Sequence, residues 1–587
     1  MIFDHHALIP QIRIGNDDLN SEQAEHAGLI LTQSEEKTAE GVYLRLSLVN
    51  RSGKAVRLEK FNWHYSGSGQ DFLQTAGIRA YLEGWQMATP CGVRCLGDKD
   101  YQFDPDYLKY AVAEPEDYSQ GVNHFRAEHV VMFHNSVCCE TLLFGFVTSA
   151  DQFGHFKFEL CENGVKSLDI RSSCDGMLIE NGDTASSEVL AIMSGTDGYD
   201  LLRRFADIWA KRMHARTFMK PPVGWCSWYY YFAKVREEDI LENADFIAAH
   251  KDDYPLQYIQ LDDGYQSAAG DWLMCNEKFP HGLGDLAAKI REKGFIPALW
   301  FGPFIAEENS VLLKEHPEWM IHDADGKIIM EFHWRQHMAA VLDGTHPGVQ
   351  KHFKEMFAQI RELGFDYIKL DFMFLASAMR HGVLHDPHAT RAQALRRGLA
   401  AIREGFGDDG YILGCTVPFG PVVGLVDGER ISTDITPYWA PEKWFDEAPT
   451  VTNVCRNVIR HTYMNKLLWN NDPDTLIVRD DNTKLTEKEV NLWYQAVRLS
   501  GGMLMLSDRF STLRPERAVL PISLLKEPDA YETQPGDFWS NEVPAVWCAK
   551  HRKTGVSETG LFNFTDSSRN INGTVVPPHS CRIITMK

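Results

Sequence analysis

Short runs of alternating apolar and polar residues dominate the first 200 residues of the chain. They include GVYLRLSLVN (41–50), HVVMFHN (129–135), TLLFGFVTS (141–149) and FKFEL (156–160), and turn-forming residues separate them. Because successive side chains of a strand point to opposite faces, this alternation predicts half-buried strands. We therefore predict an all-β domain over 1–200, most simply a β-sandwich.

A different pattern begins near residue 198. Apolar residues recur at helical spacing over 198–215, and Pro221-Pro222 stops that pattern. We predict a linker helix within 201–220.

Short apolar runs then alternate with amphipathic segments such as 238–250, 283–294, 349–364 and 487–501. Strand and helix repeated eight times is typical of a (β/α)8 barrel, which we place at 221–524. Strand texture returns afterwards and predicts a small C-terminal β-sandwich over 525–587. The fold class is therefore α/β, a central (β/α)8 TIM barrel between two β domains. The eight predicted barrel strands are 223–229, 256–262, 295–301, 365–371, 411–415, 429–434, 466–472 and 502–508.

Composition narrows the possible partners. The chain has 81 acidic and 59 basic residues, a formal net charge of -22, and such a surface repels a phosphate backbone. We expect no nucleic-acid partner. No apolar run reaches membrane-spanning length and no signal peptide is evident, so we expect no membrane contact. The 12 cysteines show neither a disulfide framework nor zinc-finger spacing, which favours a cytoplasmic protein.

The predicted strands end in chemically useful side chains. In a (β/α)8 barrel the active site lies at the C-terminal ends of the strands. These side chains are mainly carboxylates and indoles. Sugar hydroxyls can donate to carboxylates, and sugar C–H faces stack on indole rings, so this combination of side chains predicts a carbohydrate site. A metal site would favour histidines with fewer aromatics, and His381, His385 and His388 fall in a loop that we expect to be solvated. The strand-end residues are Asp262, Asp263, Asp371, Asp434, Asp472 and Asp508, with Trp228 and Trp300 nearby.

Two of these aspartates suit glycosidic bond cleavage. One carboxyl group must stabilise or capture the oxocarbenium-like centre, and another must protonate the leaving oxygen. In retaining enzymes the two lie about 5–5.5 Å apart. Asp371 and Asp434 end predicted strands four and six, which only one strand separates, so we predict that they form such a pair.

Eight ordered motifs carry a resemblance to a known family. Together they resemble glycoside hydrolase family 36 of clan D, the α-galactosidases and their raffinose-synthase relatives. The motifs are GWCSWYYYF (224–232), IQLDDGYQ (259–266), GDW (270–272), ALWFGPF (298–304), YIKLDF (367–372), ILGC (412–415), DGERISTD (427–434) and WNNDPD (469–474).

The resemblance implies a retaining, exo-acting hydrolase that removes terminal α-galactosyl residues from oligosaccharides, with no cofactor or metal. Asp371 would be the nucleophile and Asp434 the acid/base. Family members are often homo-oligomers. Substrate contacts would come from Asp262 and Asp263 at O4 and O6, Lys369 at O3 and O4, Arg430 and Cys415 near O2, and the walls Trp228, Trp272, Trp300 and Trp85.

Two departures from the family pattern leave the specificity open. Met87 and Ala88 follow the N-terminal Trp-Gln motif, where the family has Ser and Trp, and Tyr265 stands where many members have Trp. The alternatives are a galactosyltransferase of raffinose-synthase type, an α-N-acetylgalactosaminidase, or a non-catalytic sugar-binding protein.

Overall fold

Eight parallel strands form a nearly closed barrel in the middle of the chain. In the computed structural model, which describes residues 3–67, 72–330, 332–440, 445–540 and 542–586, the first seven of these strands pair in chain order, whereas the seventh and eighth do not pair with each other. The first also pairs with the last, placing Val223 opposite Leu504. The barrel strands are Val223–Cys226, Tyr258–Leu261, Ile296–Phe301, Tyr367–Leu370, Tyr411–Gly414, Gly428–Arg430, Asn470–Asp472 and Leu504–Leu506.

All eight predicted barrel strands are confirmed, but most are shorter than predicted. The sixth was expected over 429–434 and ends at Arg430, because the backbone beyond it leaves the ladder. The Ile431 amide still donates to the Asp472 carbonyl at 3.1 Å, whereas the Ile435 amide donates to the Asp474 carboxylate at 2.7 Å. Most residues that the sequence places at the strand tips therefore lie in loops just beyond the strands, whereas Asp472 is the last residue of the seventh strand.

Helices follow most barrel strands and pack with their apolar stripes inward. The Thr390 side chain accepts from the Gln393 amide, and the Gln393 side chain accepts from the Thr390 amide, a capping box that fixes one helix start. The helices of this region are Trp228–Tyr231, Glu237–Ala249, Gly282–Glu292, Val311–Glu315, Pro347–Glu362, Leu375–Ala378, Arg391–Phe406, Phe419–Val422, Val451–Arg460, Glu487–Ser500 and Pro515–Leu525. Single 3-10 turns lie at His5–Ala7, Pro115–Asp117, Phe232–Lys234, Pro317–Trp319, His461–Met464 and Phe510–Thr512.

Two antiparallel sheets make up the N-terminal part, and the prediction of a β-sandwich is confirmed. Their facing apolar side chains, such as Phe144 and Phe156, share one buried core. One sheet has the order Asp17–Asn20, Ile9–Ile14, Val56–Ser66, Gly164–Ile179, Phe153–Cys161, His124–Glu128. The other has the order Thr184–Ser186, Val42–Asn50, Leu190–Gly195, Glu140–Phe146, Val130–Asn135, Ile78–Leu82, Gly92–Cys95, with Leu29–Lys37 also on Val42–Asn50. Two short helices, Ser21–His26 and Leu108–Ala111, accompany them.

The helix expected in the linker region spans Gly198–Met213, whereas its predicted limits as a linker over 201–220 stay a prediction. The Asp197 carboxylate caps its first turn, and His214 ends it in the left-handed conformation. Its Trp209 ring lies 3.7 Å from the His129 ring of the N-terminal sheet and 6.5 Å from Trp469 of the barrel. The helix thus joins the two units through buried aromatic contacts.

Smaller sheets complete the fold. A three-stranded sheet inserted between barrel strands three and four has the order Ile305–Glu307, His337–Val341, Phe332–Trp334. The C-terminal sheet has the order Tyr531–Pro535, Val546–His551, Ser557–Asn563, Ser580–Met586, beside a ribbon of Arg569–Ile571 and Thr574–Val576. The predicted domain limits stay a prediction. None of the helices in the described ranges is long and apolar enough to cross a membrane.

Candidate active site

Asp371 lies at the C-terminal end of the fourth barrel strand, held by three donors. The Trp300 indole nitrogen donates to Oδ2 at 3.1 Å, and the Phe372 amide donates to Oδ1 at 2.7 Å. The Thr416 hydroxyl also donates to Oδ1. The side chain is half-buried, so the carboxylate has a fixed orientation and keeps access to the barrel mouth.

Asp434 lies in the loop after the sixth strand and faces the same charged environment. Its side chain is 43% exposed, and its Oδ1 is 3.1 Å from Arg430 Nη1. Desolvation by the surrounding protein raises the pKa of Asp434, while Arg430 and Lys369 act against this, and the charge of Asp371 raises it further. The two carboxyl groups are therefore close enough to interact, and Asp434 retains its proton more readily than an ordinary aspartate.

The charge of Arg430 is shared among three carboxylates. Besides Asp434, its guanidinium contacts Asp472 Oδ2 at 2.9 Å and Asp474 Oδ1 at 3.0 Å. Burial raises the pKa of Asp474 to about 7, although Arg430 opposes the shift. The Tyr229 hydroxyl donates to Asp474 Oδ2. Because three carboxylates share the positive charge of Arg430, the short distance between Arg430 and Asp434 does not force Asp434 to ionise.

Asp262 and Lys369 form a buried ion pair inside the barrel mouth. Lys369 Nζ lies 3.1 Å from Asp262 Oδ2, which also accepts from the Gln260 amide at 2.8 Å. Nearby charges, Asp262 first, outweigh burial and raise the pKa of Lys369. Sequence reasoning placed Asp262 and Lys369 in one site, and the structure brings them into direct contact.

Asp263 is tied to a residue that the sequence did not reveal. Its Oδ2 lies 2.6 Å from Arg335 Nη2, and its Oδ1 accepts from Gln266 at 2.6 Å. Burial raises the pKa of Asp263 in spite of Arg335. Arg335 has a positive φ of 55°, a strained conformation for a non-glycine residue that aims its side chain back at the barrel.

A cluster of indole rings lies beside Asp371. Trp272 meets Trp300 edge-to-face at 5.8 Å, and Trp334 stacks on Trp300 at 5.9 Å. Trp334 lies in the inserted three-stranded sheet, and no motif predicted it. Trp228, predicted as a wall, is half-buried and packs edge-to-face on Phe232 at 5.4 Å.

The N-terminal domain reaches the barrel mouth through the segment that follows Glu83. Met87 Sδ lies 3.9 Å from the thiol of Cys415, which directly follows the fifth strand. Trp85 itself is 4% exposed and packs on Phe153 at 5.4 Å, so its neighbour Met87 makes the contact to the predicted O2 region. Tyr107, which sequence reasoning missed, accepts a hydrogen bond from Gln86 at 3.3 Å. Burial raises the pKa of Tyr107, and the nearby charges of Asp434 and Asp371 add to that shift.

Other predicted polar groups have structural partners. Asp508 binds Arg479 at 3.0 Å. In the histidine loop the His388 ring lies 2.9 Å from the Leu178 carbonyl. Within the described ranges, donor atoms close enough to share an ion occur at three places, and none of these includes Asp371 or Asp434: Asp4–His5–His6, Glu83–Cys91–His461 and Glu237–His281–Asp285.

The geometry defines a class of protein. A (β/α)8 barrel whose strand ends carry two interacting carboxyl groups, a buried Lys–Asp pair and an indole wall has the features of a barrel glycoside hydrolase. The melibiase family model matches residues 185–397, which span the linker helix and the first four barrel strands. This match, together with the relatives below, confirms the resemblance to glycoside hydrolase family 36.

Curated relatives match shorter segments. The α-galactosidase Mel36A of Lactobacillus acidophilus is 26% identical over 189 residues, 30% of this chain and 24% of that protein. The A type blood α-D-galactosamine galactosaminidase of Flavonifractor plautii is 41% identical over 75 residues, 12% of this chain and 7% of that protein. The matched segments thus span about a quarter or less of these relatives.

Solved structures share the fold over nearly the whole chain. The α-galactosidase TtGalA from Thermus thermophilus, in complex with p-nitrophenyl α-D-galactopyranoside, superposes with a TM-score of 0.67 at 20% identity. The alignment covers 97% of this chain and 98% of that one. The three-part architecture is therefore that of a known α-galactosidase structure.

Proposed function

We propose that this protein is a retaining, exo-acting α-galactosidase that removes terminal α-galactosyl residues from oligosaccharides. The observation that carries the proposal is the shared environment of Asp371 and Asp434, in which one carboxylate is held by three donors and the other has a raised pKa. Two carboxyl groups with different protonation are what double displacement requires.

In the proposed mechanism, Asp371 attacks the anomeric carbon while protonated Asp434 donates its proton to the departing glycosidic oxygen. A glycosyl-enzyme intermediate joins the sugar to Asp371. Asp434, now ionised, takes a proton from water, which displaces Asp371 and releases the sugar with its original α configuration. The hydrogen bonds that hold Asp371 reduce the motion needed to reach the attacking geometry.

The remaining site groups suit a galactose-sized ring. Asp262, Asp263 and Lys369 are buried polar groups that a ligand's hydroxyls could satisfy, and we assign them to the O3, O4 and O6 side. Trp300 and its indole neighbours supply an apolar wall. A cytoplasmic location is part of the same proposal, and the free thiol state of all 12 cysteines supports it.

A second candidate substrate is an α-galactosaminide. The 41% identical relative from Flavonifractor plautii carries that activity in its name, and the substituent at C2 is the only difference between the two sugars. The Met87–Cys415 contact at 3.9 Å lines the region assigned to C2 and would determine how large a group it accepts.

A side-by-side assay tests both candidates. The purified protein would be given 4-nitrophenyl α-galactoside, α-galactosaminide and α-N-acetylgalactosaminide, with product analysis in the presence and absence of acceptor sugars. We expect the highest kcat/KM on the galactoside, with retained α configuration by NMR. Asp371→Ala should lower kcat at least 10³-fold, roughly the effect of losing a nucleophile. Cleavage by Asp371→Ala at near wild-type rate would contradict the proposal.

A further inference from the structure

A fully buried ion pair joins the N-terminal domain to the barrel behind the candidate acid/base. His461 Nε2 lies 2.8 Å from Glu83 Oε1, and both side chains are at most 1% exposed. The second ring nitrogen, Nδ1, lies 2.7 Å from the Ile431 carbonyl oxygen. Because both ring nitrogens face oxygen acceptors, both must carry a hydrogen, and His461 is an imidazolium ion.

The hydrogen-bonding capacity of Glu83 is filled by the protein. Its Oε1 also accepts from the Gly84 amide at 2.7 Å, and its Oε2 accepts from the hydroxyls of Tyr81 at 2.7 Å and Tyr463 at 2.9 Å. Burial tends to raise the pKa of Glu83, but His461 and the other donors outweigh it and lower that pKa. A carboxylate with this many donors is rigidly placed and ionised.

The pair connects two segments that reach the candidate site. Ile431 is one residue beyond Arg430 and three before Asp434, in the loop that leaves the sixth strand. Glu83 immediately precedes the segment that brings Met87 to Cys415. His461 therefore holds the acid/base loop by its backbone while it is itself held by the N-terminal domain.

We propose that the Glu83–His461 pair is a positioning device that fixes the acid/base Asp434 from behind, so that the N-terminal domain controls proton donation to the leaving group. This inference rests on the proposed function. Neither residue contacts Asp434 directly, and the effect passes through the Ile431 carbonyl. A displacement of about 1 Å in a catalytic group can cost on the order of 10²-fold in rate.

The test compares leaving groups. Glu83→Gln preserves the side-chain volume and removes the charge that binds His461. We expect its kcat/KM on a substrate with a poor leaving group, such as methyl α-galactoside, to fall about 10- to 100-fold, within the range of general acid catalysis. On 2,4-dinitrophenyl α-galactoside, whose leaving group needs no proton, we expect a change below about threefold. Equal losses on both substrates, or no loss on either, would overturn the proposal.

A matched control separates positioning from general loosening of the domain contact. Asp175 of the N-terminal sheet pairs with Arg391 of a barrel helix at 2.8 Å, a second largely buried link between the same two units. Asp175→Asn should affect both substrates alike. If it reproduces the leaving-group effect of Glu83→Gln, the proposal fails, because then any loosening of the contact would suffice.

Two further measurements keep the proposal testable. If Glu83→Gln does not fold, Tyr463→Phe removes a single donor to the same carboxylate, and we expect a smaller fall of about three- to tenfold on the poor leaving group only. A crystal structure of either variant should show the Asp434 carboxyl group moved by about 1 Å or more, and an unmoved group would refute the inference. The position of the Asp434 carboxyl group can be measured even if the wild-type protein cleaves no α-galactoside. An absence of cleavage would refute the proposed function but would leave this inference testable.

Discussion

Glu429 on the sixth barrel strand offers a sharp test of how burial controls ionisation in this protein. Its side chain is 0% exposed. Neither carboxyl oxygen has a hydrogen-bond partner among the described residues. Burial raises the pKa of Glu429 well above its ordinary value, and Asp472 adds to the shift while Arg430 opposes it. The perturbation we choose is Glu429→Gln, which keeps the shape and cannot ionise.

The sign of the effect follows from linkage. Because the folded-state pKa is raised, the stabilising contribution is complete below the pKa of an unfolded glutamate, about 4.3. It is lost as pH rises toward the folded pKa, at about 1.4 kcal/mol per pH unit. Glu429→Gln removes this loss, so the advantage of the variant should grow with pH at that slope. For a cooperative unit of roughly 300 residues, this corresponds to about 2 °C of Tm per pH unit.

The assay is calorimetry or intrinsic fluorescence melting of both proteins at several pH values from 4.5 to 7.5. We expect melting temperatures that coincide at the acidic end and diverge steadily above it. Glu355→Gln is the control, because Glu355 is 61% exposed and 3.8 Å from Lys351, and its difference from wild type should not grow in this way. Parallel curves for Glu429→Gln would refute the reasoning that this carboxyl group is buried and unpaired.

The proposed catalytic roles predict three further results. Asp434→Ala should reduce kcat/KM at least 10²-fold more on methyl than on 2,4-dinitrophenyl α-galactoside, and equal losses would argue against acid catalysis. Trp300→Phe removes the 3.1 Å donor to Asp371 and should lower kcat about tenfold; unchanged kcat would show the bond to be dispensable. Tyr229→Phe removes the hydroxyl that donates to Asp474 and that also lowers the pKa of Asp434, so the alkaline limb of the kcat/KM profile should move to higher pH, and a shift to lower pH would contradict this.

Most of the barrel could be predicted because its signals are local. Each strand is an apolar run that ends in a polar residue, and the rule that strand ends form the site then places Asp262 and Asp371 at the same end of the barrel without any knowledge of distant contacts. Lys369 was expected there only from the resemblance to the family. In the structure Lys369 Nζ lies 3.1 Å from Asp262 Oδ2, a contact that the sequence did not indicate. The strand limits were less accurate, because side chains such as Asp474 replace the ladder as hydrogen-bond partners.

The residues that sequence reasoning missed reach the site from other parts of the fold. Arg335 and Trp334 belong to a small three-stranded sheet inserted between two barrel strands. They reach the barrel mouth because the middle strand of that sheet pairs with Ile305–Glu307, far away in the sequence. Tyr107 arrives from the N-terminal domain. Nothing in the local sequence around these residues indicates that they face the barrel mouth.

The balance of charge in the site explains how two aspartates can take different roles. Apart from the buried Glu429, six carboxyl groups of the described residues meet three cationic side chains there, so full ionisation would leave uncompensated negative charge in a partly buried space. The groups whose pKa is raised are Asp263, Asp434 and Asp474. Asp371 has three hydrogen-bond donors of its own, whereas Asp434 shares one guanidinium with two competing carboxylates. The different roles that we propose for the two aspartates thus agree with how the available donors and cations are distributed. The six acids are Asp262, Asp263, Asp371, Asp434, Asp472 and Asp474, and the cations are Lys369, Arg335 and Arg430.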